Sequence, residues 1–423
     1  MKVNNKILFF TSIGTILLPV GQSYAQSYVG ALSENQIQVQ NMFLPGGPSC
    51  NSSDVQFSSY CNDALIVNVP NSLTQISSMQ TASQSMNALA MNNVQLSSIG
   101  ARVAAVRGGR QGGGLNLSGL LFDDINNPLA LGQTNKAAAG DTGYERLGIF
   151  VNGNIGFGDR RTTANELGYN LDEHGTTFGA DYRITDNFLL GAAFGYNNST
   201  SRYFNSLGRN ENDSYTGAIY GSFFTESGFF IDGIFSGSHL EYDSIRNIAV
   251  ANTNAQGNTQ GDEFNVSMNT GYNMAFGGLT LTPQVRVDYT TTRVDALTET
   301  GGAGLALHIG GQEFESLQTA AGLQLSYALS LPWAVIVPSA KAEYIHEFEN
   351  DSRRINARFV ADPTAQFSII TDNPDRDYIV MNAGISAQFA YGLSAFANYD
   401  TVQAHSFVNN HNFSGGLRWA VSF

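Results

Sequence analysis

The sequence predicts an all-β fold: a 12-stranded antiparallel transmembrane β-barrel with an N-terminal α-helix threading its lumen. Three observations lead there. From Glu145 onward apolar and polar residues alternate over long stretches. The connections between those stretches are alternately short and long. Only 13% of the residues are charged, yet mean hydropathy is −0.13, because Asn, Ser, Thr, Gln and 45 Gly fill the gap. A soluble domain carries about 25% charged residues. A membrane barrel has a lipid-facing outside and a polar inside, so hydrophobicity averages out along each strand. The net charge of −14 excludes nucleic-acid binding, which needs clustered Lys and Arg.

Residues 1–25 read as a signal peptide: Lys2 and Lys6, an apolar core from Ile7 to Val20, and small residues up to a cleavage site after Ala25. An uncleaved anchor is the alternative, against which the short core argues. After Ala25 no run is long and apolar enough for a membrane helix, so a membrane would be crossed by strands.

Residues 26–80 are polar, without clear periodicity, and too few for a sizeable core of their own. They contain both cysteines, Cys50 and Cys61. An exported chain meets an oxidising compartment, where such a pair closes a small disulfide loop; two free thiols are the alternative. Residues 81–107 change character. Leu89, Leu96, Ile99, Val103 and Val106 recur at helical spacings, and Gly108-Gly109 stops the helix. A Gly-rich connector, 108–143, leads to the barrel, 144–423.

The alternation divides into twelve strands: 145–157, 172–184, 186–199, 212–225, 228–244, 262–276, 278–293, 313–329, 333–349, 377–390, 392–404 and 411–423. They exceed the five or six residues usual in soluble sheets, as a tilted crossing requires. Long loops are expected at 158–171, 200–211, 245–261, 294–312 and 350–376, the last containing 354–371 as a strand extension or folded loop. An even count returns both barrel ends to the periplasm and lets the first strand pair with the last. That last strand carries Trp419, Val421 and Phe423 on one face.

Catalytic chemistry is not apparent. There is no G-x-S-x-G elbow, and no His precedes the helix, so a Ser-His-Asp triad cannot form there. His405 and His411 flank one short loop without a third ligand at metal-site spacing and read as surface histidines. The Gly runs at 108–114 lack the ending of a phosphate loop. No cofactor is expected.

Phe178–Arg183, Tyr215–Phe223, Leu281–Tyr289, Val337–Phe348, Arg358–Pro363 and Gly416–Phe423 together resemble the C-terminal translocator domain of type V autotransporters. The resemblance covers about residues 140–423. It implies a barrel in the outer membrane of a Gram-negative bacterium that helps its own N-terminal passenger reach the cell surface. It also implies assembly by periplasmic chaperones and barrel-insertion machinery that read the terminal Trp419, Val421, Phe423 signal, and a monomeric barrel in outer-membrane lipid. The family's helix inside the barrel falls where Arg102–Arg107 ends the expected one. Inward-facing Arg286, Asp288, Lys341 and Glu343 would meet that helix, line a water-filled lumen, or both. Some members cut their passenger at an Asn-Asn pair on the helix. Asn92-Asn93 is such a pair, but aligning the basic stretch puts Ser97-Ser98 at the cleavage position. Only about 55 residues lie between the signal and the helix, and they show no repeats, so a cargo that is missing, tiny or reduced to a tether is expected. A stand-alone barrel acting as pore or adhesin through its loops is the alternative.

Overall fold

The computed structural model describes residues 32–108, 146–389 and 393–421. The expected signal peptide with Ala25, nearly all of the connector 108–143, and Phe423 lie outside them. Twelve long strands form the barrel: β1 (Leu147–Arg160), β2 (Tyr169–Thr185), β3 (Phe188–Tyr203), β4 (Gly208–Phe224), β5 (Phe229–Ile248), β6 (Thr253–Tyr272), β7 (Leu279–Val294), β8 (Gln312–Tyr327), β9 (Ala334–Glu347), β10 (Asp377–Phe389), β11 (Leu393–Gln403) and β12 (Val408–Val421). Every neighbouring pair is antiparallel, and β1 closes on β12 with Leu147 opposite Val421 and Ile149 opposite Trp419. Closure leaves no unpaired edge in lipid.

Alternation sets the two faces. On β1, Ile149, Val151, Ile155 and Phe157 are exposed outward, whereas Phe150, Asn152 and Asn154 are buried inward. Trp419 also lies on the outer face, 61% exposed, in the aromatic zone a membrane interface favours. Periplasmic turns are tight; Gly228 and Gly277 adopt φ of +110° and +66°, conformations open mainly to glycine.

Two expectations are corrected. Residues 200–211 and 245–261 are not long loops. Strands β5 and β6 run 20 residues each and meet through a short 3-10 turn at Ala249–Ala251, and β3 and β4 turn through Phe204–Ser206. Their polar, charged outer segments look like loops in sequence, but these strands rise beyond the apolar band, where water replaces lipid. Second, residues 32–82 do have a core, because they share one. Five short helices, α1 (Glu34–Phe43), α2 (Pro48–Asn51), α3 (Val55–Ser58), α4 (Ala64–Val67) and α5 (Pro70–Ile76), form a cap. Segment 354–371 is a folded hairpin, Arg354–Phe359 with Gln366–Ile370, and it joins Leu307–Ile309 and Leu297–Thr298 in a separate four-stranded sheet. Val39, Phe43, Phe57, Ile66, Leu73 and Ile76 of the cap pack with Leu297, Leu307, Ile355, Phe359, Phe367 and Ile369 of that sheet. Phe57 and Phe359 lie 4.8 Å apart between ring centroids. Cys50 and Cys61 are bonded, with Cα atoms 4.8 Å apart.

Candidate functional site

The lumen is occupied by α6 (Ser83–Gly108), a 26-residue helix. It packs against β1–β5, β7 and β8. Its apolar stripe, Leu96, Ile99 and Val103, meets Phe150, Leu189, Ala218, Tyr220 and Ile234 in a small core inside the barrel. A second apolar patch sets Ala88 against Leu240, Tyr242 and Val294; amide and hydroxyl contacts lie beside these two patches. Gln95 Oε1 accepts from Asn197 Nδ2 (3.0 Å) and Thr177 Oγ1 (3.2 Å). Gly195 faces the same amide, and a Cβ there would run into the Gln95 side chain. Gln84 Oε1 accepts from Gln312 Nε2 (2.8 Å), and Ser83 Oγ lies 2.5 Å from the Tyr203 hydroxyl.

These contacts fix the helix's direction. Tyr203 ends β3 and Gln312 begins β8, both at the rim bearing the long loops, which is the extracellular one. Leu189, beside the lower part of the helix, begins β3 at the periplasmic rim. The chain therefore descends from the outer mouth to the inner one.

Arg286, Asp288, Lys341 and Glu343 do come together on the inner wall. Arg286 Nε lies 2.7 Å from Asp288, its Nη1 3.2 Å from Glu343, and Lys341 Nζ 2.9 Å from Glu343. Gln284 Nε2 donates to the same carboxylate at 3.2 Å. Asn93 is exposed on α6, and of Asn92 only the helical backbone is described. His405 is not a surface histidine: its side chain is mostly buried, 3.1 Å from Asp375. His411 Nδ1 lies 2.7 Å from the Tyr399 hydroxyl. Among the described residues no cluster of His, Cys, Asp and Glu suits a metal ion.

Two polar locks tie the outer end together. In the first, buried Arg246 uses all five N–H groups. Nε donates to Glu299 at 2.9 Å and Nη2 pairs with the other carboxylate oxygen; Nη1 reaches the Gln75 (2.8 Å) and Ile76 (3.4 Å) carbonyls, and Nη2 the Leu305 carbonyl (2.9 Å). Gln75 and Ile76 end α5, so the cation also sits at the negative end of that helix. In the second, Arg160 pairs with Asp372 (2.7 Å) and Glu166 (3.0 Å). Thr163 and Asn165 donate to Asp372 at 2.6 and 3.1 Å, and the Asp372 N–H donates to Glu166 at 2.9 Å. Asn35 of α1 ties the cap to the second lock and to the loop sheet. Its amide donates to the Asn165 carbonyl (3.1 Å) and exchanges two bonds with the Ile370 backbone (3.0 and 2.8 Å). Gln38 adds a bond from the Ser368 N–H at 2.8 Å. The side chains of α1 thus stand in for a strand along the edge of the loop sheet.

A family model described as "Autotransporter beta-domain" matches residues 149–400, more than half of the chain. The chain belongs to the autotransporter β-domain family. The autotransporter barrel is similar in fold to the translocator domain of NalP from Neisseria meningitidis (20% identity, TM-score 0.54, 66% of this chain and 90% of that one). It is likewise similar to the transport unit of AIDA-I from Escherichia coli (15% identity, TM-score 0.50, 72% and 95%). Among curated proteins it is 27% identical over 216 residues to an uncharacterized protein in the trpE-trpG intergenic region of Pseudomonas putida, covering 49% of this chain and 34% of that one. It is 25% identical over 263 residues to Lipase 1 of Photorhabdus luminescens, covering 59% and 38%. The match thus spans little more than a third of these relatives' length. The autotransporter β-domain is an outer-membrane translocator barrel.

The parity of the strands carries a signal for the first lock that sequence reading passed over. Even-numbered residues of β5 face inward, so Arg246 belongs to the buried face beside Tyr242. A lone cation at an inward position calls for a partner. The partner itself, Glu299, lies in a loop that no periodicity places.

Proposed function

We propose that this barrel carries its own N-terminal segment to the cell surface and keeps residues 32–82 there as a folded cap. The observation that carries the reading is the shared core: Phe43, Phe57 and Leu73 are fully buried against loop residues at the extracellular rim. A released segment would leave that face of the loop sheet open to water. The helix direction supports the same order of events, since a chain that begins outside and runs inward has had its N-terminal part moved through the pore. Removal of the signal peptide after Ala25, chaperone escort, and insertion by assembly machinery reading Trp419, Val421 and Phe423 complete the route. The barrel works as a transporter without a catalytic step, and Asn92-Asn93 stays uncut.

Surface proteolysis of intact cells with N-terminal sequencing tests this. The expected product begins at Gln26 and stays joined to the barrel, and residues 32–82 resist protease until the cap is unlocked. A mature N-terminus within α6, or protection of 32–82 that disappears only when the outer membrane is opened, would overturn it.

A further inference from the structure

The helix does not fill the lumen evenly. The inward side chains of β4, β5 and β7 are buried along nearly the whole of each strand. On β10 and β11 every inward residue from Tyr378 to Gln388 and from Ser394 to Val402 is only half-buried. Most inward residues of β12 are likewise half-buried, from Asn410 to Arg418, with Asn412 the exception. That wall is polar, with Asn382, Ser386, Gln388, Ser394, Asn398 and Ser414 among its inward residues. Half-buried polar side chains on an inner wall mean water beside them, as in barrels with an aqueous channel. The helix therefore lies against one wall and leaves a hydrated lane along the other.

The second lock stands over the outer end of this lane. Arg160 ends β1 and is paired in register with Val408, the first residue of β12. The Arg161 N–H donates to the Phe407 carbonyl (2.9 Å), and the Arg160 guanidinium lies 5.2 Å from the Phe407 ring. Asp372 and Asp375 belong to the loop leading into β10, and Asp375 holds His405 in the β11–β12 loop. The Arg160–Glu166–Asp372 lock thus draws the β1–β2 loop and the loop before β10 together across the mouth, with the Tyr378 ring 5.3 Å from His405 just below.

We infer that the barrel holds a second passage, beside the helix along β10–β12, which admits small hydrophilic solutes and ions when the Arg160–Glu166–Asp372 lock opens. This permeation is distinct from export, which uses the lumen before the cap has formed. The wall's sparse inward charge (Arg418 against Asp400) makes the passage weakly selective.

Single-channel current in potassium chloride across planar bilayers tests it, with the full-length protein. Asp372→Asn and Arg160→Gln should raise current severalfold while α6 remains in place. Adding Ser386→Trp to either variant should return it to the wild-type level. In parallel, Ser386→Cys in the Asp372→Asn background should lose current on addition of a cationic methanethiosulfonate, which reads the same lane without a bulky residue during folding. Heat-modifiable migration on gels confirms folding of each variant. Unchanged current in folded lock variants, or a raised current that neither the Trp nor the thiol reagent reduces, overturns the inference. The surface position of residues 32–82 is read by proteolysis, so failure of this passage and failure of the cap reading are separate results.

Discussion

Arg246 shows how much one side chain carries when it is buried. Its charge is matched by Glu299 and its remaining donors by three carbonyls, two of them from the cap. Removing one member of such a pair strands the other in a dry site, at a cost of about 3–5 kcal/mol. Arg246→Ala should therefore lower the temperature at which residues 32–82 become protease-sensitive on intact cells. Arg246→Lys should recover only part of this, because an ammonium offers three donors where five are used. The second lock adds pH dependence. Burial raises the pKa of Glu166 above its ordinary 4.5, against the opposing pull of Arg160. Folding then favours the protonated form, so this group's contribution to stability improves as pH falls from the raised value toward 4.5. His405 works the other way. Burial lowers its pKa below 6.5 against the pull of Asp375, so acidification below about 6.5 costs stability. Glu166→Gln should leave only the histidine's slope: protease resistance of the loops then declines monotonically on acidification, and an improvement at low pH would contradict this assignment.

Elements differ in how plainly the sequence announces them. The stripe Leu96, Ile99, Val103 marks α6 because its packing partners sit on a uniform cylinder, and a regular wall selects a regular period. The cap offers no such regularity. Its helices α2, α3 and α4 are four residues each, shorter than a periodic signal needs, and each is placed by a cap or a Pro: Asp54 accepts from the Phe57 N–H, Asp63 from the Leu65 N–H, and Pro48 opens α2. Its core partners lie in loops some 200–300 residues away, a distance that local pattern cannot bridge. Such short helices depend on staples. The Cys50–Cys61 bond spans 11 residues, and closing a loop of that size stabilises by about 3 kcal/mol in the chain-entropy account. Reducing it should make the cap protease-sensitive while heat-modifiable migration of the barrel is unchanged; a barrel that melts together with the cap would show the two to be one cooperative unit.

At the scale of the molecule, the barrel was legible because two rules constrain every residue of it: alternation across the wall, and the ban on an open edge in lipid. The expected twelve strands and their closure match the fold, and the misjudged lengths of β3–β6 arise where those rules cease, above the lipid. The lumen charges Arg286, Asp288, Lys341 and Glu343 follow from the same parity. The cap escaped, because its contacts obey no period. Phe57→Ala should cost the cap about 3–5 kcal/mol as a large core truncation, raising protease cleavage within residues 32–82 without changing the barrel's apparent gel mobility. The bonds of Asn35 to Ile370, 335 positions apart in the chain, have a further consequence for recognition from outside. With residues 32–82 displayed as proposed, the surface a neighbouring cell or an antibody meets is a mosaic of two distant stretches of sequence. Binders selected on intact cells will be conformational, losing their target on denaturing blots, and synthetic peptides copied from either stretch alone will fail to compete for them.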